Sequence, residues 1–171
     1  MGPPVIDALY LSQAAIVAAA VAAAAAAVPE GRRRPIRRWQ LILPAGLAAL
    51  ACVMEIVHPS LEELKQPAIW LFAVAAGVAG VARGRFMALE VDQTWNRIRL
   101  PRAPEGLWFA VVLALLAIAE AIEITQAAPD ADDLAFRPLV EIGMALTAGF
   151  LVGRAGAAWI RVPHIPHSDL P

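Results

Sequence analysis

The chain has one cysteine, Cys52, which excludes an intrachain disulfide and any Cys-x-x-Cys redox or zinc site. Charged residues are scarce at 17%, against about 25% in ordinary globular domains. No Gly-rich phosphate loop and no Ser-His-Asp arrangement is recognisable, so no catalytic residue is assigned and no enzyme is expected. A haem held by two histidines is disfavoured, because only His58 falls at the level of an apolar segment. The chain also lacks the positive charge that a cleavable signal peptide carries before its apolar core. Asp7 precedes that core and Arg32, Arg33 and Arg34 follow it, so the first segment reads as a retained helix.

What the chain has in abundance is apolar sequence, 60% of its residues. A membrane-crossing helix needs roughly 17–25 mostly apolar residues. Five segments approach this, at about 6–28, 39–57, 67–82, 107–124 and 138–160. The third is short and the first is alanine-rich, so both are expected to lean on neighbouring helices. The predicted fold is an all-α membrane protein, a five-transmembrane-helix bundle in a single domain over 1–171. A short cytoplasmic β-hairpin sits between helices 3 and 4, and the tail from 162 to 171 is expected to be flexible.

Orientation follows from the arginines, since short cytoplasmic loops are enriched in Lys and Arg. Arg32, Arg33, Arg34, Arg37 and Arg38 fall in the first connection, and Arg83, Arg85, Arg97, Arg99 and Arg102 in the third. Arg154 and Arg161 follow at the end of the fifth segment. The second and fourth connections hold only Lys65 and Arg137, beside Glu62, Glu63, Asp130, Asp132 and Asp133. This places the N-terminus outside and the C-terminus in the cytoplasm. Trp39, Trp108 and Trp159 then sit at inner ends, and Tyr10 and Trp70 near outer ends, where aromatic rings anchor at the interface.

Small residues recur every four positions at Ala76, Gly80 and Gly84, and at Ala145, Gly149, Gly153 and Ala157. That spacing makes one smooth helix face where backbones can approach closely. Packing within the chain is the expected use, with a homodimer as the alternative.

Residues 86–92 and 97–100 read as two strands around Gln93–Asn96. Leu89 opposite Leu100 and Val91 opposite Ile98 give an apolar face, and Glu90 opposite Arg99 and Asp92 opposite Arg97 a charged one. A lone hairpin is marginal in water, so the apolar face is expected to rest on the bundle or the membrane surface. The nearby arginines have topological and structural uses, and no nucleic-acid partner is expected.

Ionisable residues inside spans are costly and point to function by default. Asp7, Glu55, Glu120, Glu123 and Glu141, with His58, all fall toward the outer ends of four predicted helices. Glu55 and His58 share a face of one helix, as do Glu120 and Glu123 of another. Glu55, His58, Glu120, Glu123 and Glu141 form a candidate metal site for a divalent cation such as zinc or manganese, or a proton relay. The alternative is a solvated or structural role, with Glu141 paired to Arg137 and Glu123 or Glu55 to Lys65. His164 and His167 form a His-x-x-His in a proline-rich tail where no helix fixes their geometry, and Cys52 reads as a small core residue.

The order of features resembles the CcdC-like family of small bacterial membrane proteins, some of them labelled cytochrome c biogenesis proteins. The resemblance covers most of the chain. It rests on Arg32–Arg38 running into Leu41-Ile42-Leu43-Pro44, a glycine-containing third helix ending in Arg83-Gly84-Arg85, the strand Met87-Ala88-Leu89-Glu90-Val91-Asp92, and a fourth helix directly after the hairpin. It implies a multi-pass protein of the bacterial inner membrane, with membrane-protein partners or a homo-oligomer, accessory to cytochrome c maturation or another assembly. It supplies no catalytic or cofactor-binding residue. The reading from the residues alone keeps a small ion-binding or transport protein as the alternative, without an inverted repeat or pair of broken helices to support transport.

Overall fold

The computed structural model describes residues 3–32, 34–56, 67–100, 104–126 and 137–168. Arg33, Arg102 and the segments carrying His58, Glu62, Glu63 and Lys65 and Asp130, Asp132 and Asp133 lie outside them, as do the side chains of Asp7 and Arg137. The chain is mostly helical: α1 (Pro3–Gly31), α2 (Leu43–Ile56), α3 (Pro67–Phe86), α4 (Glu105–Gln126) and α5 (Arg137–Arg161). Three short strands, β1 (Ile36–Arg37), β2 (Glu90–Asp92) and β3 (Arg97–Arg99), form one antiparallel sheet in the order β1-β3-β2.

Among the described residues, four helices, α1, α3, α4 and α5, are long and apolar enough to cross a membrane. The segment expected at 39–57 differs from the others. Its first residues wind into a 3-10 turn (Arg38–Leu41), and α2 proper has 14 residues, about 21 Å at 1.5 Å per residue. The third helix runs past its expected end at 82 to Phe86. Arg83-Gly84-Arg85 looks like a stop, but Gly84 serves packing: a Cβ there would strike the Arg154 carbonyl oxygen and the Ala157 side chain.

The α3–α5 contact is the closest in the bundle. A Cβ on Gly80 would strike the Phe150 carbonyl oxygen, one on Gly149 that of Ala73, and one on Gly153 that of Gly77. Contact numbers rise together along both helices, so the two run parallel, backbone against backbone, on the small-residue faces. The stripes are used within the chain. By contrast, α1 and α4 are antiparallel, with Gly31 and Glu30 beside Leu107 and Gly106.

Each core helix buries one stripe at helical spacing: Ile16, Ala20, Ala23 and Ala27 on α1; Ala45, Ala48, Ala51 and Cys52 on α2; Ala110, Leu113, Ala114 and Ala117 on α4; Met144, Ala145, Ala148, Leu151 and Ala155 on α5. Most of these side chains are alanine, so the helices pack closely with little rotamer entropy to lose.

The sheet covers one end of the bundle. Glu90 pairs with Arg99, Val91 with Ile98 and Asp92 with Arg97, which is the expected hairpin register. Two features add to it. Ile36–Arg37 joins as a third strand on β3. Asp92 does not join the charged face, because its Oδ1 accepts the N–H groups of Thr94 and Trp95 at 3.0 and 3.1 Å and fixes the turn. Asn96 completes that turn with φ 52°, a left-handed conformation asparagine tolerates. Ile36, Leu41, Leu89, Val91, Ile98 and Leu100 then bury their side chains with Ala158 and Val162 of the bundle.

The tail after α5, expected to be flexible, is laid along the sheet as far as Ser168. A 3-10 turn (Val162–His164) leads to a bridge between Val91 and His167. Ser168 N–H donates to the Val91 carbonyl at 2.9 Å, and Gln93 N–H to His167 Nδ1 at 3.2 Å. The tail is held because Val91 offers an open strand edge, and an unpaired edge is a template for further pairing.

Candidate metal centre

The end of the bundle away from the sheet collects the C-terminus of α2, the last turns of α4 and the first turns of α5. Each contributes a glutamate as the next member of its buried stripe. Glu55 follows Ala51 and Cys52, Glu120 follows Ala117, and Glu141 precedes Met144 and Ala145. The spacing that buries the alanines therefore turns the three carboxylates inward as well.

Glu55, Glu120 and Glu141 converge. Each offers one carboxylate oxygen to a group whose members lie within 4.8 Å of one another. The residues are 1%, 1% and 4% exposed. Among the described residues, neither carboxylate oxygen of Glu55 accepts a hydrogen bond. At 4.8 Å two carboxylate charges repel by about 3–4 kcal/mol even at an effective dielectric constant of about 20. Such groups in an apolar core need compensating positive charge, from a basic side chain, from shared protons or from a cation.

Of the five residues singled out in the sequence, the structure brings together these three. Glu123 is half-buried and stands outside the group, one turn beyond Glu120. His58 lies outside the described residues. The suggested partners Lys65 and Arg137 have no described side chains, so those pairings lie outside the described residues too.

A second polar layer, at the sheet end, escaped the sequence reading. Arg154 Nη1 donates to Glu30 Oε2 at 2.9 Å, both side chains 3% exposed, and Nη2 reaches Met87 Sδ at 3.7 Å. Gly106 lies flat against this pair, because a Cβ there would strike both charged groups. Arg154 had been counted with the topological arginines. The available signal was that it interrupts a stripe of small residues, and that Glu30 continues the Ile16–Ala20–Ala23–Ala27 stripe. Gln13 continues the same stripe at the other end and is 3% exposed, with neither amide atom hydrogen-bonded among the described residues.

The two layers stand about 20 Å apart, from the 14 residues between Gly106 and Glu120 at 1.5 Å each. The described core between them is apolar except for Thr147, whose hydroxyl donates back to the Gly143 and Met144 carbonyls of its own helix. The triad is therefore a separate site with its own charge balance.

No protein-family model, curated protein or solved structure matches the chain. The CcdC-like resemblance rests on its motifs alone, and the functional argument rests on the geometry of the three glutamates.

Proposed function

We propose that this is a non-enzymatic integral membrane protein that binds a metal cation between Glu55, Glu120 and Glu141. It crosses a bacterial inner membrane five times, with α2 and its preceding 3-10 turn as the fifth crossing. The N-terminus is outside and the sheet with the C-terminal tail faces the cytoplasm. The bilayer is its surrounding partner. Supporting the orientation, the sheet end carries the arginine-rich connections. Supporting the site, Glu55 is a buried carboxylate with no hydrogen-bond donor among the described residues, aimed at two other buried carboxylates. Leaving an ionised group so is expensive unless a ligand completes it. An accessory role in cytochrome c maturation, which the resemblance implies, draws on no contact at this site, so the cation reading takes precedence.

The test is metal content and cation titration of the purified protein, comparing wild type with Glu120→Gln and Glu141→Gln. Saturable binding lost in both folded variants is expected. A folded wild type that binds no cation would return the carboxylates to a structural role and favour the assembly reading.

A further inference from the structure

The chemistry of the donor set says which cations the site takes. Among the described residues, every gathered ligand atom is a carboxylate oxygen. Cys52 lies three residues before Glu55 on the same buried face of α2, yet its thiol is not a member of the group. Soft thiolates select Cu(I) and zinc, imidazole suits zinc, copper and nickel, and carboxylates suit magnesium, calcium and manganese. The one thiol on the ligand helix thus stands outside the group in which three hard oxygens converge.

Size points the same way. If the three oxygens stand at their widest spacing of 4.8 Å, a point equidistant from them is about 2.8 Å from each. A small inward movement reaches the 2.3–2.6 Å range of calcium, and a larger one the 2.0–2.1 Å that magnesium demands. The three ligands come from three helices, so small rotations of χ angles supply such movement without moving backbone.

The triad lies near helix ends: Glu55 is one residue from the end of α2, and Glu141 is in the second turn of α5. Gln13, buried at the corresponding end of α1 with its amide unsatisfied among the described residues, adds another hard oxygen to this end of the core.

We infer that the Glu55–Glu120–Glu141 site is an all-oxygen site for a hard divalent cation of the calcium, manganese and magnesium class, formed without the Cys52 thiol. This rests on the cation-site reading above and narrows it to one ligand class.

The experiment loads the full-length detergent-purified protein with Mn²⁺ and follows its displacement by Ca²⁺ and by Zn²⁺, in wild type, Cys52→Ser, His58→Ala and Glu55→Gln. The inference expects one Mn²⁺ per chain, displaced by Ca²⁺ and Zn²⁺ within about a hundredfold of one another in concentration, because an all-oxygen site lacks the nitrogen and sulfur that favour zinc. Cys52→Ser and His58→Ala should leave these concentrations unchanged, and Glu55→Gln should abolish Mn²⁺ uptake. Zn²⁺ displacing Mn²⁺ more than about a hundredfold more effectively than Ca²⁺, with that advantage lost in Cys52→Ser or His58→Ala, would overturn the all-oxygen assignment and leave the cation site standing. Failure of all three ions to bind folded wild type would overturn the cation site itself. Cys52→Ser and His58→Ala alter no group assigned to the site, so the assignment stays testable even if Glu55→Gln does not fold.

Discussion

Gly153→Ala and Gly156→Ala differ by three positions on one helix and should change stability in opposite directions. A Cβ on Gly153 would strike the Gly77 carbonyl oxygen and stand 2.9 Å from its carbon and 3.0 Å from Val81 N. All three are backbone atoms, so no side chain can swing aside and α3 must separate from α5. Even weak C–H···O contacts hold carbon and oxygen about 3.3–3.6 Å apart, so the gap opens by roughly 1 Å. A gap of that size forfeits about a quarter to a half of the dispersion energy of the atoms lining it. Overpacking of this kind costs about 1–3 kcal/mol, offset by at most about 1 kcal/mol from replacing a helical glycine. At Gly156 nothing lies within 4 Å of the added Cβ, so only the gain remains. Thermal unfolding in detergent, read by circular dichroism, should place Gly153→Ala below wild type and Gly156→Ala at or above it, about 1–3 kcal/mol apart. Equal shifts of the same sign would refute the close α3–α5 contact.

Two further outcomes concern the sheet end. Arg154→Ala strands Glu30 in a buried site and should cost about 3–5 kcal/mol, whereas Glu105→Ala removes a pair with Arg83 that is over a third exposed and should cost at most about 1 kcal/mol; chemical denaturation in mixed micelles compares them directly. Removing residues 167–171 deletes the bridge to Val91, so hydrogen exchange should quicken at Gln93 while the unfolding midpoint of the bundle holds.

The fold was legible where a period repeats many times. The apolar runs located the four long helices α1, α3, α4 and α5 and the shorter α2, and the alternation of Leu89, Val91, Ile98 and Leu100 gave the register of β2 on β3. Short or diverted elements were not legible. Ile36–Arg37 is too brief to show a period and becomes a strand only because β3 offers an edge. Asp92 was assigned to a cross-strand charge pair by register, but a carboxylate two residues before open N–H groups satisfies the turn instead. Gly84 was legible as part of the packing stripe, but the end of its helix was set early, at 82, because Arg83 and Arg85 read as a boundary. At the candidate site, residue type and depth singled out the three glutamates that converge, together with Glu123, which does not, because convergence depends on helix rotation. At about 100° per residue, Glu123 sits some 60° around α4 from Glu120, enough to leave the group. The Glu30–Arg154 pair was hidden because an arginine near a helix end has an adequate topological reason to be there.

The most direct test of the cation site is the stability of Glu55→Gln with and without Mn²⁺. If three carboxylates are held together for a ligand, removing one charge relieves repulsion. Glu55→Gln should then unfold at a higher temperature than wild type in metal-free buffer, and lose the stabilisation that Mn²⁺ gives wild type by mass action. A Glu55→Gln protein that is less stable than wild type without metal, and wild type that gains nothing from Mn²⁺, would contradict the site and make Glu55 a structural residue.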